Sequence, residues 1–68
     1  MAELNLSPNL TEPDEFYAAL IESHTGLSED ESMAQNARLI LLLANHIGDC
    51  DTLKQAITLA RAQANENS

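Results

Sequence analysis

One stretch, "ARLILLLANHIGD" at residues 37–49, limits what this chain can fold into more than any other. Its centre, "LILLLA", sets six apolar residues in succession. A helix through such a run presents apolar side chains in every direction. The run is far shorter than the ~20 residues a bilayer span requires, and no basic region or apolar leader opens the chain. A chain of 68 residues has little interior in which to hide it. The segment therefore has to face the chain's own core on one side and some other cover on the rest.

The remaining residues make that segment a helix rather than a strand. Valine is absent, and the aromatics are limited to Phe16 and Tyr17. Alanine, leucine and glutamate dominate, and these favour helices. Three helical segments separate. The first begins in "TEPDEFYAALIESHTG", where Thr11 can cap, Pro13 suits a first turn and Glu12, Asp14 and Glu15 suit the positive end of the helix dipole. Phe16, Leu20 and His24 recur every fourth residue, as do Tyr17 and Ile21, and Gly26 ends the segment. The second opens on "SEDE", where Ser28 and Glu31 form a capping-box pattern, and it runs to Ile47 before Gly48. The third follows Asp49 or Asp51 and carries Leu53, Ala56, Ile57, Ala60 and Ala64 at helical spacing. The expected fold is all-α: an extended arm at residues 1–10, a single three-helix bundle at 11–65 and a frayed tail at 66–68. Leu4, Leu6 and Leu10 could clip the arm onto a groove.

On a wheel of the second helix, Met33, Ala37, Ile40, Ala44 and Ile47 fall on one face, read here as the core. Leu41 lies to one side of it and Leu43 to the other. Leu39 and Leu42 point the opposite way, beside Gln35 and His46. Full burial of a leucine is worth about 1.5–3 kcal/mol, so an uncovered pair asks for a cover. Either the arm or the end of the first helix lies over it, or the face docks in a groove of another chain. Arg38 and Asn45, seven apart and beside Leu41, are either a solvated edge, with Arg38 paired to a carboxylate of the first helix, or directional contacts that set a docking register. The expected partner-binding set is Gln35, Arg38, Leu39, Leu42, Asn45 and His46.

Charge excludes some functions. Eleven acidic residues against three basic ones give a formal charge of −8. Lys54, Arg38 and Arg61 are too few and too scattered to neutralise nucleic-acid phosphates or to hold an anionic membrane. The acidity serves solubility, or steers the chain toward a basic patch on a partner. A lone cysteine, Cys50, forms no internal disulfide and suits a reducing cytoplasm.

Chemistry finds little purchase. His46, Asp49, Cys50 and Asp51 in "NHIGDCD", with His24 one helix away, form the nearest thing to a site. They lack the paired spacing of zinc ligands, and both histidines lie near helix ends where they can serve as C-terminal caps. Cys50 as nucleophile with His46 as base would need a pocket, and its acidic neighbours would raise the thiol pKa. The paired carboxylates sit in first turns, where capping accounts for them. Neither a catalytic residue nor a cofactor is expected. A small metal- or redox-active protein using His24, His46 and Cys50 is the alternative reading, and a self-sufficient structural monomer is a third.

The segment "NLTEPDEFYAALIESHTGLSEDESMAQNARLILLLANHIGD", Asn9 through Asp49, resembles the small bacterial proteins of domain-of-unknown-function family 2783. Pro13, Asp14, Phe16, Tyr17, His24, Gly26, Ser32, Asn36 to Ile40 and Asn45 to Asp49 carry the resemblance, which the third helix shares less distinctively. Members are often encoded beside flavin-dependent oxygenases of aromatic breakdown, so the resemblance implies an accessory role beside such an enzyme. The resulting expectation is a cytoplasmic, non-catalytic interaction module that docks through its second helix on a protein partner or on a second copy of itself.

Overall fold

The structure, a computed structural model, describes residues 3–66, with side chains described through residue 63. The protein is all-α. Three helices follow in order: α1, Pro13–Glu22; α2, Glu29–Ile47; and α3, Cys50–Glu66. The arm at residues 3–10 has no regular structure, and the backbone N–H of Leu4 donates to Gln55 Oε1 at 3.2 Å, tying the arm to α3. The helix reaches residue 66, where fraying was expected, and residues 67–68 of the expected tail lie outside the described residues.

Local chemistry sets the helix ends. Pro13 occupies the first turn of α1, but the residue before it departs from expectation. Glu12, not Thr11, is the N-cap, with φ 50° in the left-handed region, and no side chain caps the helix. The Glu12 carbonyl instead accepts from the N–H groups of Glu15 and Phe16. Ser28 and Glu31 form the full capping box of α2. The Glu31 N–H donates to Ser28 Oγ at 3.2 Å and the Ser28 N–H to Glu31 Oε1 at 2.9 Å. Gly48 closes α2 at φ 74°, its N–H on the Ala44 carbonyl at 2.9 Å. Asp49 then caps α3 by accepting from both the N–H and the hydroxyl of Thr52. Only Gly48 and Asp49 separate the two longer helices.

The bundle is open. Among the described residues none is buried, and no two helices lie against one another along their length. The chain exposes 6093 Å², whereas a compact protein of 7.4 kDa exposes about 4,200 Å². Its radius of gyration, 13.7 Å, exceeds the roughly 11 Å expected of a compact chain of this length.

The packing of α2 inverts the sequence reading. Met33 and Ile40, assigned to the core, are 69% and 64% exposed, and Ile47 is exposed as well. The half-buried residues on the opposite side of α2 are Ser32, Gln35 and Leu39. Hydrogen bonds explain the choice of side. Gln35 Nε2 donates to the Ser23 hydroxyl at 2.8 Å and to the Ser23 carbonyl at 3.3 Å, and His24 Nδ1 meets Ser32 Oγ at 2.9 Å. These bonds hold the end of α1 on the Leu39 side and leave most of the regular apolar stripe exposed, with Ala44 its one half-buried residue.

Candidate docking groove

The groove between α1 and α2 grows out of the turn at residues 23–26. Ser23 ends α1, and its hydroxyl donates to the Leu20 carbonyl at 2.7 Å. Gly26, at φ 81°, takes the left-handed conformation that lets the chain reverse into Ser28. The same Ser23 oxygen accepts from Gln35, so the α1 terminus is held to α2 one turn after the capping box.

Below that clamp lies an open cavity of about 400 Å³. Phe16, Ala19, Leu20 and Ser23 line it from α1, and Gln35, Arg38, Leu39 and Leu42 from α2. Leu20 and Leu39 are half-buried, while Phe16 is 45% and Leu42 70% exposed. A second hollow of about 370 Å³ adjoins it, formed by Arg38, Leu41, Leu42 and Asn45. Arg38 and Leu42 belong to both. The result is an apolar channel with a guanidinium and an amide at its rim, a surface that can hold aliphatic side chains and give direction to a carbonyl or carboxylate.

Five of the six residues expected to bind a partner therefore line these connected hollows: Gln35, Arg38, Leu39, Leu42 and Asn45. The sixth, His46, is exposed on the same helix and lines neither. They are not equivalent. Gln35 and Leu39 are engaged by the end of α1, which was one of the two covers anticipated; Arg38, Leu42 and Asn45 stay free for contact. The α1 wall of the groove went unassigned at the sequence level, although Phe16 and Leu20 had been read as part of an apolar stripe. Gln35 and Ser32, polar residues facing a serine and a histidine across a short turn, were the signal that could have placed them.

The residues considered for metal or redox chemistry do not converge. His24 is half-buried against Ser32, His46 is exposed, and Cys50 is an exposed free thiol at the start of α3. Among the described residues no three His, Cys, Asp or Glu side chains come together as metal ligands. Two carboxyls are held below their ordinary range. Glu31 is lowered by the Ser28 backbone N–H and then by the Ser28 hydroxyl, and Asp49 by the Thr52 hydroxyl and then its N–H. Both are helix caps, and neither faces the groove. No described helix is long and apolar enough to cross a membrane.

Residues 4–62 match the model of a family described as a protein of unknown function, DUF2783, and the chain belongs to that family. The match extends past Asn9–Asp49 in both directions and takes in the Leu4 contact with α3 and most of α3 itself. No curated protein and no solved structure matches the chain.

Proposed function

We propose that this member of the DUF2783 family is a small non-catalytic interaction module, an accessory subunit that docks on a larger catabolic enzyme through the α1–α2 groove. The observation that carries the reading is the lack of any buried residue among those described, combined with a surface well above that of a compact chain. A helical chain without a core lacks its main stabilising term, and a second surface can supply it. Arg38, Leu42 and Asn45 present the free part of the groove, with Gln35, Leu39 and His46 supporting it or beside it. A segment of extended or helical chain carrying one or two large aliphatic residues fits the channel.

An exposed free thiol at Cys50 and a charge of −8 agree with work in the reducing cytoplasm, away from nucleic acids and anionic lipid. Flavin-dependent catabolic enzymes are the first partners to test, on the strength of the sequence resemblance. The experiment is affinity capture from the native host, followed by binding measurements with the purified partner. Wild-type chain should retain an enzyme that Leu42→Glu and Arg38→Glu both lose, with circular dichroism showing unchanged helix content. A partner held equally by all three would refute docking through this groove.

A further inference from the structure

The groove continues past the place where α1 and α2 meet. At the start of α1 lies a further hollow of about 310 Å³, lined by Leu10, Thr11, Glu12, Glu15, Phe16 and Ala19. Phe16 and Ala19 also line the central cavity, so this hollow adjoins it on one side, as the Arg38–Asn45 hollow does on the other through Arg38 and Leu42. Together they make one trough whose ends differ in charge. Glu12 and Glu15 supply the charge at one end, and Arg38, with Asn45 beside it, at the other. Phe16, Ala19, Leu20, Leu39 and Leu42 lie between. We infer that the occupant of this trough is an amphipathic helix of the partner protein, bearing a basic residue at one end of its aliphatic stripe and an acidic residue at the other. The inference rests on the groove-docking reading and adds the chemistry of what docks.

Three observations select that occupant. The first is that the carboxylates of Glu12 and Glu15 are not spent on their own helix. No side chain caps α1, whereas Glu31 and Asp49 are bonded to the backbone at the starts of α2 and α3. No lysine or arginine lies in α1 to neutralise them. The second is the setting of Arg38. Between Ser32 and Gly48 there is no carboxylate, and neither hollow that Arg38 lines contains one. A guanidinium on an apolar wall is matched by a carboxylate, which it can hold through two parallel hydrogen bonds. The third is that a single sign of charge fails at one end or the other. A wholly acidic helix would set a carboxylate against Glu12 and Glu15 on a chain already at −8, and a wholly basic one would set a cation against Arg38. The apolar middle takes aliphatic residues at i, i+3, i+4 and i+7, the spacing of a helix laid in a groove.

Three synthetic peptides test this. Each is acetylated and amidated, about fifteen residues long, and built of Ala and Gln with leucines at i, i+3, i+4 and i+7. They differ only in the charged residue before and after the leucines: Lys and Glu, Glu and Glu, or Lys and Lys. Binding is followed by NMR titration up to about 1 mM. The wild-type chain should bind the Lys–Glu peptide at least about threefold more tightly than either of the others. Arg38→Glu should move the preference to the Lys–Lys peptide, and Glu12→Lys combined with Glu15→Lys to the Glu–Glu peptide. Each preference should shrink as sodium chloride rises. The double variant removes acids from the start of α1, so its helix content is checked by circular dichroism; Arg38→Glu leaves that end intact and tests the inference without it. Preference of all three chains for the Lys–Lys peptide would mean only bulk attraction to the acidic chain and would overturn the inference. So would equal binding of the three peptides, or no binding by about 1 mM. If the peptides fail while Leu42→Glu still releases the native partner, groove docking stands and the charge order falls; a partner indifferent to Leu42→Glu removes both.

Discussion

Leu39 and Leu42 are three residues apart on one helix and identical in chemistry, yet their truncation should have different consequences. Leu39 is half-buried beneath the end of α1, and Leu42 is 70% exposed at the mouth of the groove. Full burial of a leucine is worth about 1.5–3 kcal/mol. With under a third of its surface hidden, Leu42→Ala should cost the free chain well under about 1 kcal/mol. Leu39→Ala should cost about 1–2.5 kcal/mol, with little added for a cavity because the groove is already open to water. The gap of roughly 1 kcal/mol is a fivefold difference in the equilibrium that docks α1 onto α2. Urea titration followed by circular dichroism measures it, and amide exchange at Ser23 and His24 reports the α1 end directly. Partner binding should show the reverse order, with Leu42→Ala the more damaging once the α1 loss is subtracted. Equal destabilisation by the two substitutions, or a larger effect from Leu42→Ala, would refute the assignment of α1 to the Leu39 side of α2.

Gly48→Ala should destabilise the α2–α3 junction by about 1 kcal/mol, read as a lower thermal midpoint. The added Cβ would meet only the Asn45 carbonyl oxygen at 3.9 Å, so the cost arises from φ 74° rather than from a clash. Acid should unravel the starts of α2 and α3. Glu31 and Asp49 have folded pKa values lowered by their capping bonds, so their contribution is present above the ordinary carboxylate pKa and fades as pH falls through the lowered values. Helix content followed down an acid titration at low protein concentration should drop in that window, and the drop should shrink in Glu31→Gln.

The parts of this fold that depend on neighbours in sequence were legible in it. The Ser28–Glu31 capping box, the stop at Gly48, a cap at Asp49 or Asp51 and the second helix from just after Ser28 to Ile47 each follow from a side chain and the backbone groups it can reach; the first helix ends earlier than Gly26, at Glu22 with Ser23 as its cap, and Gly26 serves the turn that follows. Thr11 is not the cap; Glu12 takes that place in the left-handed region, rather than in the extended conformation that a following proline favours, and nothing in the structure explains the choice. The orientation of α2 was not legible. Apolar periodicity marks Met33, Ile40 and Ile47 as the face to hide, but periodicity does not say from what. The chain's own contacts were settled by Gln35 and Ser32, whose hydrogen bonds to Ser23 and His24 depend on how a four-residue turn folds. Five of the six residues expected to bind a partner line the two hollows because the side of α2 away from its regular stripe is also partly apolar. The α1 wall was missing because a wheel of one helix contains no second helix.

A chain without a single buried residue among those described also has nothing that slows its destruction. Local opening of such helices costs little free energy, and cleavage by a protease tracks the population of the opened form. If the chain docks as proposed, a copy seated on its partner would be protected to the extent that the partner covers it, and a free copy would not. The cellular amount of the protein would then follow the number of seats available to it, surplus copies being degraded without a dedicated regulator.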